Sequence, residues 1–233
     1  QPDLQGVWTN ASLTRLETAP PFKTAIVSEA EARAYEARHD GKPGIPADDI
    51  GHGDSEWWEM GRTLARIRGQ ARASWIVDPP DGRLPYTEWG RKAAQTGAPW
   101  LATFDGPEAR PTADRCLAGV GAPASPPMLN SAYNSNYQIV QTPDHVAIVV
   151  EMNHDVRIVR LEGSHAHPAV TPWMGDSVGR WEGETLVVET VNFHPTEHAR
   201  GGLSGLFYTS PQANMIERFT RTGPNEILYQ FTA

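Results

Sequence analysis

The sequence predicts a mainly β protein, an antiparallel β-barrel or sandwich with one or two short helices and long loops. Three observations carry this. Residues 131 to 233 hold strand-like runs at short, regular spacing with turn residues between them. No strand–helix–strand alternation appears, so a parallel sheet is not expected. With 20 Pro and 21 Gly in 233 residues, much of the remaining chain is loop.

Taken in order, residues 1–16 give a first strand at Leu4-Gln-Gly-Val-Trp-Thr-Asn10, running toward a turn at Pro20-Pro21. Ser28-Glu-Ala-Glu31 is a capping box, in which Ser28 caps and Glu31 reaches back, and it predicts a helix of about three turns reaching Arg38. Residues 40–53 lack an apolar period and read as loop. After the Glu56-Trp57-Trp58-Glu59-Met60 segment and a run of arginines, Ala73-Ser-Trp-Ile-Val77 reads as a short buried strand, ended by the turn Asp78-Pro-Pro-Asp-Gly82. Thr87 caps a second short helix over 87–94. The Pro-, Gly- and Ala-rich stretch from Gly97 to Asn130 is too long for an ordinary connection, so it is either functional or draped over a core. The 17–130 region is thus a helix and loop elaboration, and 131–233 an antiparallel meander of the same single domain.

The meander strands are Tyr137–Gln141, His145–Met152, Val156–Leu161, Gly179–Trp181, Thr185–Phe193, Met215–Arg221 and Glu226–Phe231. Alternate residues of a strand share a face. By that parity Glu217 sits between Met215 and Phe219, Glu189 with Val187 and Val191, Glu151 after Ala147 and Val149, and Arg157 before Val159 and Leu161. A lone charge on an apolar face is costly unless paired. If the faces point inward, Arg157 meets one or more carboxylates in the interior. If they point outward, each glutamate joins a cross-strand ion pair.

Histidine concentrates between residues 145 and 198. His165-Ala-His167 places two imidazoles on one side of an extended segment, with Glu151 or His154 as a third ligand. That is a pattern for a divalent metal, or for acid–base catalysis. His194-Pro-Thr-Glu197-His198 matches an inverted zincin pattern, but without the helix that chemistry needs it reads as coincidence. Tyr133, Asn136 and Tyr137 offer hydrogen bonds at a strand mouth. The 8 Trp, Trp57 and Trp58 among them, offer stacking faces for a sugar or aromatic compound, or simply pin loops.

A formal net charge of −8 with no Lys/Arg cluster argues against nucleic acid as a partner. No apolar run is long enough to cross a bilayer. A single cysteine, Cys116, excludes an internal disulfide and a multi-cysteine zinc site, and reads as a small, partly buried residue or else a catalytic thiol. The opening Gln-Pro-Asp-Leu, without Met, reads as a mature N-terminus left by signal-peptide removal, or as a cut boundary. The end at Tyr229 to Ala233 falls inside a strand pattern, as though the native chain continued.

Gly6-Val-Trp8 resembles the Gly-x-Trp opening of lipocalins and related calycin barrels, which implies a lipocalin-like meander with an arginine, Arg218 or Arg221, packed across the Trp. Trp173-Met-Gly-Asp-Ser-Val-Gly-Arg-Trp-Glu-Gly-Glu-Thr-Leu-Val-Val188, with Tyr137-Gln-Ile-Val-Gln-Thr-Pro-Asp144, is similar to a widespread, uncharacterised family of exported bacterial proteins. That resemblance implies a secreted or periplasmic location and a β-rich fold, and carries over no catalytic residue.

The expected function is an exported small enzyme, a lyase or hydrolase acting on a carbohydrate or aromatic compound by acid–base catalysis in a barrel cavity. His154, His165 or His167 would move protons, Glu151 would be base or orienter, and Arg157 would stabilise an oxyanion. Trp57, Trp58, Tyr133, Asn136, Tyr137, Glu189 and Glu217 would bind substrate. No cofactor is expected. The alternatives are a small-ligand-binding barrel without catalysis and a metal-dependent enzyme built on His165 and His167.

Overall fold

A computed structural model describes residues 1–39, 59–88, 90–92, 106–107, 110, 112–119, 123–131, 133–195, 199–202, 205–208 and 210–233. It is mainly β, and its dominant feature is a curled eight-stranded sheet, a half-barrel. In spatial order the sheet runs β1 (Gly6–Thr9), β5 (Asn136–Gln141), β6 (His145–Val150), β7 (Val156–Leu161), β8 (Asp176–Glu182), β9 (Thr185–Val191), β12 (Met215–Gly223) and β13 (Glu226–Thr232).

The turns follow from residue chemistry. Gly183, at φ +60, makes the two-residue link between β8 and β9, where a Cβ would meet nothing but where the left-handed backbone favours glycine. Asn153 and His154 take φ of 59° and 56° in the connection from β6 to β7, leaving residue 152 onward free to reverse.

One pairing departs from a meander. β7 and β8 run parallel, with Val159 opposite Ser177 and Leu161 opposite Gly179. Residues 162–175 must therefore cross from one end of the sheet to the other, so the expected antiparallel meander is broken here by a crossover. All other neighbours in the sheet are antiparallel.

The concave face is the core. Tyr137, Ile139, Val146, Ile148, Val150, Val159, Leu161, Leu186, Val188 and Phe219 are buried in one cluster, against which Trp8, Trp181 and Tyr229 pack. The two sheet edges curl toward each other: Arg221 of β12 lies with its Cζ 5.3 Å from the Trp8 ring centre and donates to the Asp3 carbonyl at 2.9 Å. Of the two arginines expected near Trp8, Arg221 is the one in place.

Residues 123–131 complete the closure. They are buried except Met128, which is half-buried, and they tie the two edges through side chains. The Met128 N–H donates to the Tyr229 hydroxyl at 2.9 Å, and Asn10 Nδ2 donates to the Met128 carbonyl at 3.2 Å. This part of the long irregular stretch is draped over the core.

The N-terminal elaboration has structure of its own. A second sheet, in the order β2 (Ile26–Val27), β4 (Gln70–Arg72) and β3 (Ala65–Ile67), packs Ala71 and Val27 with Leu13, Ala32 and Leu64. Helix α1 (Glu29–Glu36) carries the expected capping box, shorter by two residues than the spacing predicts. The Thr87 hydroxyl accepts from the Gly90 N–H at 3.0 Å, capping the second short helical stretch. The segment 73–77 is not a regular strand: Ala73, Ser74 and Ile76 are buried, but Ser74 makes only an isolated parallel bridge with Arg15, and the Ala73 N–H donates to the Ala25 carbonyl at 2.8 Å. β10 (Ala199–Gly202) and β11 (Gly205–Tyr208) form a separate hairpin that the Gly201-Gly202 pair concealed in the sequence. Among the described residues no helix is long and apolar enough to cross a membrane.

Candidate functional site

Strand register decides which charges face inward. On β9 the buried partners of the β12 core residues are Leu186, Val188 and Thr190, so Glu189 lies on the convex face. On β6 the buried positions are Val146, Ile148 and Val150, which leaves Glu151 exposed, accepting from Asn136 Nδ2 at 2.8 Å. The remaining two charges point inward and meet: Arg157 Nη2 is 2.8 Å from Glu217 Oε2, with side chains 2% and 0% exposed.

Around that pair the interior holds a connected set of polar groups. The Tyr229 hydroxyl donates to Glu217 Oε1 at 2.8 Å, and Asn10 Nδ2 donates to the Tyr137 hydroxyl at 3.1 Å. Burial pushes the Tyr137 phenol up to about 12. Burial, then the Glu217 charge, pushes the Tyr229 phenol well above its ordinary value. Both stay protonated at neutral pH and remain hydrogen-bond donors. No histidine among the described residues lies on this concave face, so the expected union of imidazole and Arg157 in one cavity does not form.

Glu151 and His154 sit in the turn before β7, whereas His165 lies in the crossover after it, beside Asp176, the first residue of β8. His154 is exposed, and so is His167, whose Nδ1 accepts from the Ala169 N–H at 3.2 Å. His194 stacks on Trp173 with ring centres 3.8 Å apart. Tyr133 packs against the main core, and Trp57, Trp58 and residues 196–198 of the zincin-like pattern lie outside the described residues.

His165 stands between two carboxylates. Its Nδ1 is 3.0 Å from Asp176 Oδ2, and that same oxygen accepts from the Ala166 N–H at 2.8 Å. Arg160 grips Asp176 with two bonds of 2.8 and 3.2 Å. Burial alone would raise the Asp176 carboxyl, but the bonds from Arg160, Ala166 and His165 outweigh it and hold the group below its usual range. An ionised Asp176 only accepts, so Nδ1 carries a proton, and in the neutral form of the ring Nε2 would be the acceptor.

On the other side of the ring, Glu189 Oε2 lies 3.7 Å from Nε2, and Asn214 Nδ2 donates to Glu189 Oε1 at 2.7 Å. Nε2 itself is buried without a hydrogen-bond partner among the described residues, while the Glu189 side chain is 38% exposed. The order from solvent inward is therefore Glu189, His165, Asp176, with Arg160 pinning the last. Such a row can take a proton at the surface carboxylate and exchange it with an imidazole whose tautomer is fixed from behind. The crossover loop that supplies His165 is tied down by Asn192, which donates to the Ala166 carbonyl at 3.1 Å.

Sequence reasoning named His165 and Glu189 but missed Asp176, Arg160 and Asn214. Asp176 lies in the Trp173–Val188 signature, and starting the strand at Gly179 rather than Asp176 hid its parity with Glu189. No group of three His, Cys, Asp or Glu that could hold a metal ion occurs among the described residues. Cys116 is exposed, against the expectation of partial burial. No family model, curated protein or solved structure matches this chain.

Proposed function

We propose that this protein is a small exported enzyme working by general acid–base catalysis, a lyase or hydrolase on a carbohydrate or aromatic compound, with the Glu189–His165–Asp176 row as its proton-handling centre. The observation that carries the reading is His165, held by an ionised carboxylate on one nitrogen and facing a second carboxylate with the other. Export rests on the resemblance of the Trp173–Val188 segment.

In this reading Glu189 meets the substrate, because it is the exposed member of the row. His165 receives or returns the proton through Nε2, and the charge that develops on the ring is balanced by Asp176. Asp176 is a positioning residue and Arg160 keeps it ionised and fixed. Arg157, which lies on the opposite face, has no part in the chemistry.

The test is turnover of a panel of neutral and acidic oligosaccharides, aryl glycosides and aryl esters. With a substrate identified, His165→Gln is expected to lower kcat by about 10²–10⁴-fold, and Glu189→Gln by a similar order. His154→Ala and His167→Ala should leave kcat unchanged. Full activity in His165→Gln would sink the proposal.

A further inference from the structure

Arg221 takes the place over Trp8, and the other arginine expected there, Arg218, is left without a partner. On the strands of the large sheet, Arg157 and Arg160 face Glu217 and Asp176, Arg180 bonds Glu182, and Arg221 donates to backbone carbonyls. Arg218 is half-buried on β12, yet among the described residues it holds neither a carboxylate nor a carbonyl.

Its register puts it beside the proton-handling row. Burial alternates along β12, with Met215, Glu217 and Phe219 buried, so Arg218 lies on the convex face. Val187 is its direct partner on β9, and Arg180 of β8 is the partner of Val187 on the other side. Glu189 follows Val187 by two residues on that same face. Both arginines are therefore diagonal neighbours of Glu189, at about 7–8 Å. Their backbones stand roughly 10 Å apart, with Val187 as an apolar floor between them.

The charges on this face favour an anion. Arg160 and Asp176 cancel, and Asn214 and His165 engage Glu189. Glu182 answers Arg180, but both side chains are about half exposed, and such pairs are worth little in water. Arg218 remains a cation without a counter-charge. A guanidinium fork is matched by a carboxylate or sulfate, which accepts two N–H bonds at once, and a neutral hydroxyl gains far less from it. Glu189 repels an anion placed directly on it, so the group must sit one row along, over Val187.

We propose that Arg218, with Arg180, recognises a carboxylate or sulfate on the substrate of the Glu189–His165 row, so that the substrate is an acidic carbohydrate or an aromatic acid. The inference rests on that row as the reacting centre.

The test is calorimetric titration of the full chain with matched acidic and neutral pairs: trigalacturonate and galactotriose, glucose sulfate and glucose, benzoate and benzyl alcohol. Inorganic sulfate alone is a further probe. In at least one pair the acidic member should bind at least about tenfold more tightly than its counterpart, and the pair that does so tells carboxylate from sulfate. Arg218→Gln should remove the preference, Arg218→Lys should keep part of it, and Arg83→Gln, at an exposed arginine of the N-terminal elaboration, should bind as the parent does. Equal binding within every pair, a preference that survives Arg218→Gln, or inorganic sulfate binding as tightly as the best acidic compound would overturn the proposal. Once a substrate is turned over, Arg218→Gln should raise KM by about tenfold and change kcat by less than about twofold. Turnover lost in His165→Gln, beside an acid preference unchanged in Arg218→Gln, refutes this inference and spares the proton row. Full turnover in His165→Gln, beside a preference lost in Arg218→Gln, refutes the row and spares anion recognition.

Discussion

Replacing Glu217 by Leu should be among the most damaging single changes in the sheet. The substitution leaves the Arg157 guanidinium 2% exposed without its counter-charge, and leaves the Tyr229 hydroxyl without its acceptor. A guanidinium cannot shed its proton to escape burial, so the cost of breaking such a pair, about 3–5 kcal/mol, falls in full. For a chain of this size each kcal/mol lowers Tm by about 2–4 °C, which gives a fall of roughly 6–20 °C. Arg157→Met should cost less, because the orphaned carboxylate can neutralise itself by taking up a proton, and its deficit should shrink when stability is measured at pH 4 instead of pH 7. The double variant Arg157→Met/Glu217→Leu should regain most of the loss, since an apolar pair of similar volume replaces a buried ion pair at little cost. The assay is urea unfolding of all four proteins, with an unchanged slope as the check that the unfolded states compare. The reasoning fails if Glu217→Leu loses less than about 1 kcal/mol, or if the double variant is as unstable as the sum of the singles.

Other expectations concern the sheet closure, the packing and the acid range. Arg221→Ala removes the cation over Trp8 and the bonds to the Asp3 and Pro224 carbonyls, and should cost about 1–2 kcal/mol in the same unfolding assay. Gly179→Ala drives a Cβ to 2.8 Å from Val159 Cγ1 and 3.2 Å from Leu161 Cδ2, and should cost about 1–3 kcal/mol by overpacking. Asp176, whose carboxyl is held down by Arg160, Ala166 and His165 against the effect of burial, stabilises the fold above the unfolded carboxylate value of about 3.9 and loses that contribution as pH falls through its lower folded value. Thermal melts should therefore show a shallower decline from pH 5 to pH 2 in Asp176→Asn than in the parent.

The strands were legible because their periodicity and turns agree: β12 and β13 lie within two residues of the expected spans, and the capping box of α1 appears as written. Parity found Arg157 and Glu217 because Met215 and Phe219 flank one, and Val159 and Leu161 extend the other, as unbroken apolar faces. It left the direction of Glu151 and Glu189 open because β6 and β9 are apolar on both faces, so alternation carries no direction there. The parallel pairing of β7 with β8 was invisible, since a 14-residue Pro- and Gly-rich loop gives no sign of which end of the sheet it reaches. That one pairing is what brings His165 to Asp176 and Glu189, so the site escaped sequence reasoning along with the crossover that makes it.

The fixed tautomer of His165 is the feature on which the catalytic reading depends, and it can be measured without a substrate. Long-range ¹H–¹⁵N spectra of the imidazoles, assigned with His165→Gln, should show His165 protonated at Nδ1 in its neutral form, and Asp176→Asn should shift it toward the Nε2–H tautomer. A parent protein in which Nε2–H predominates, or a tautomer unchanged by Asp176→Asn, would contradict the account.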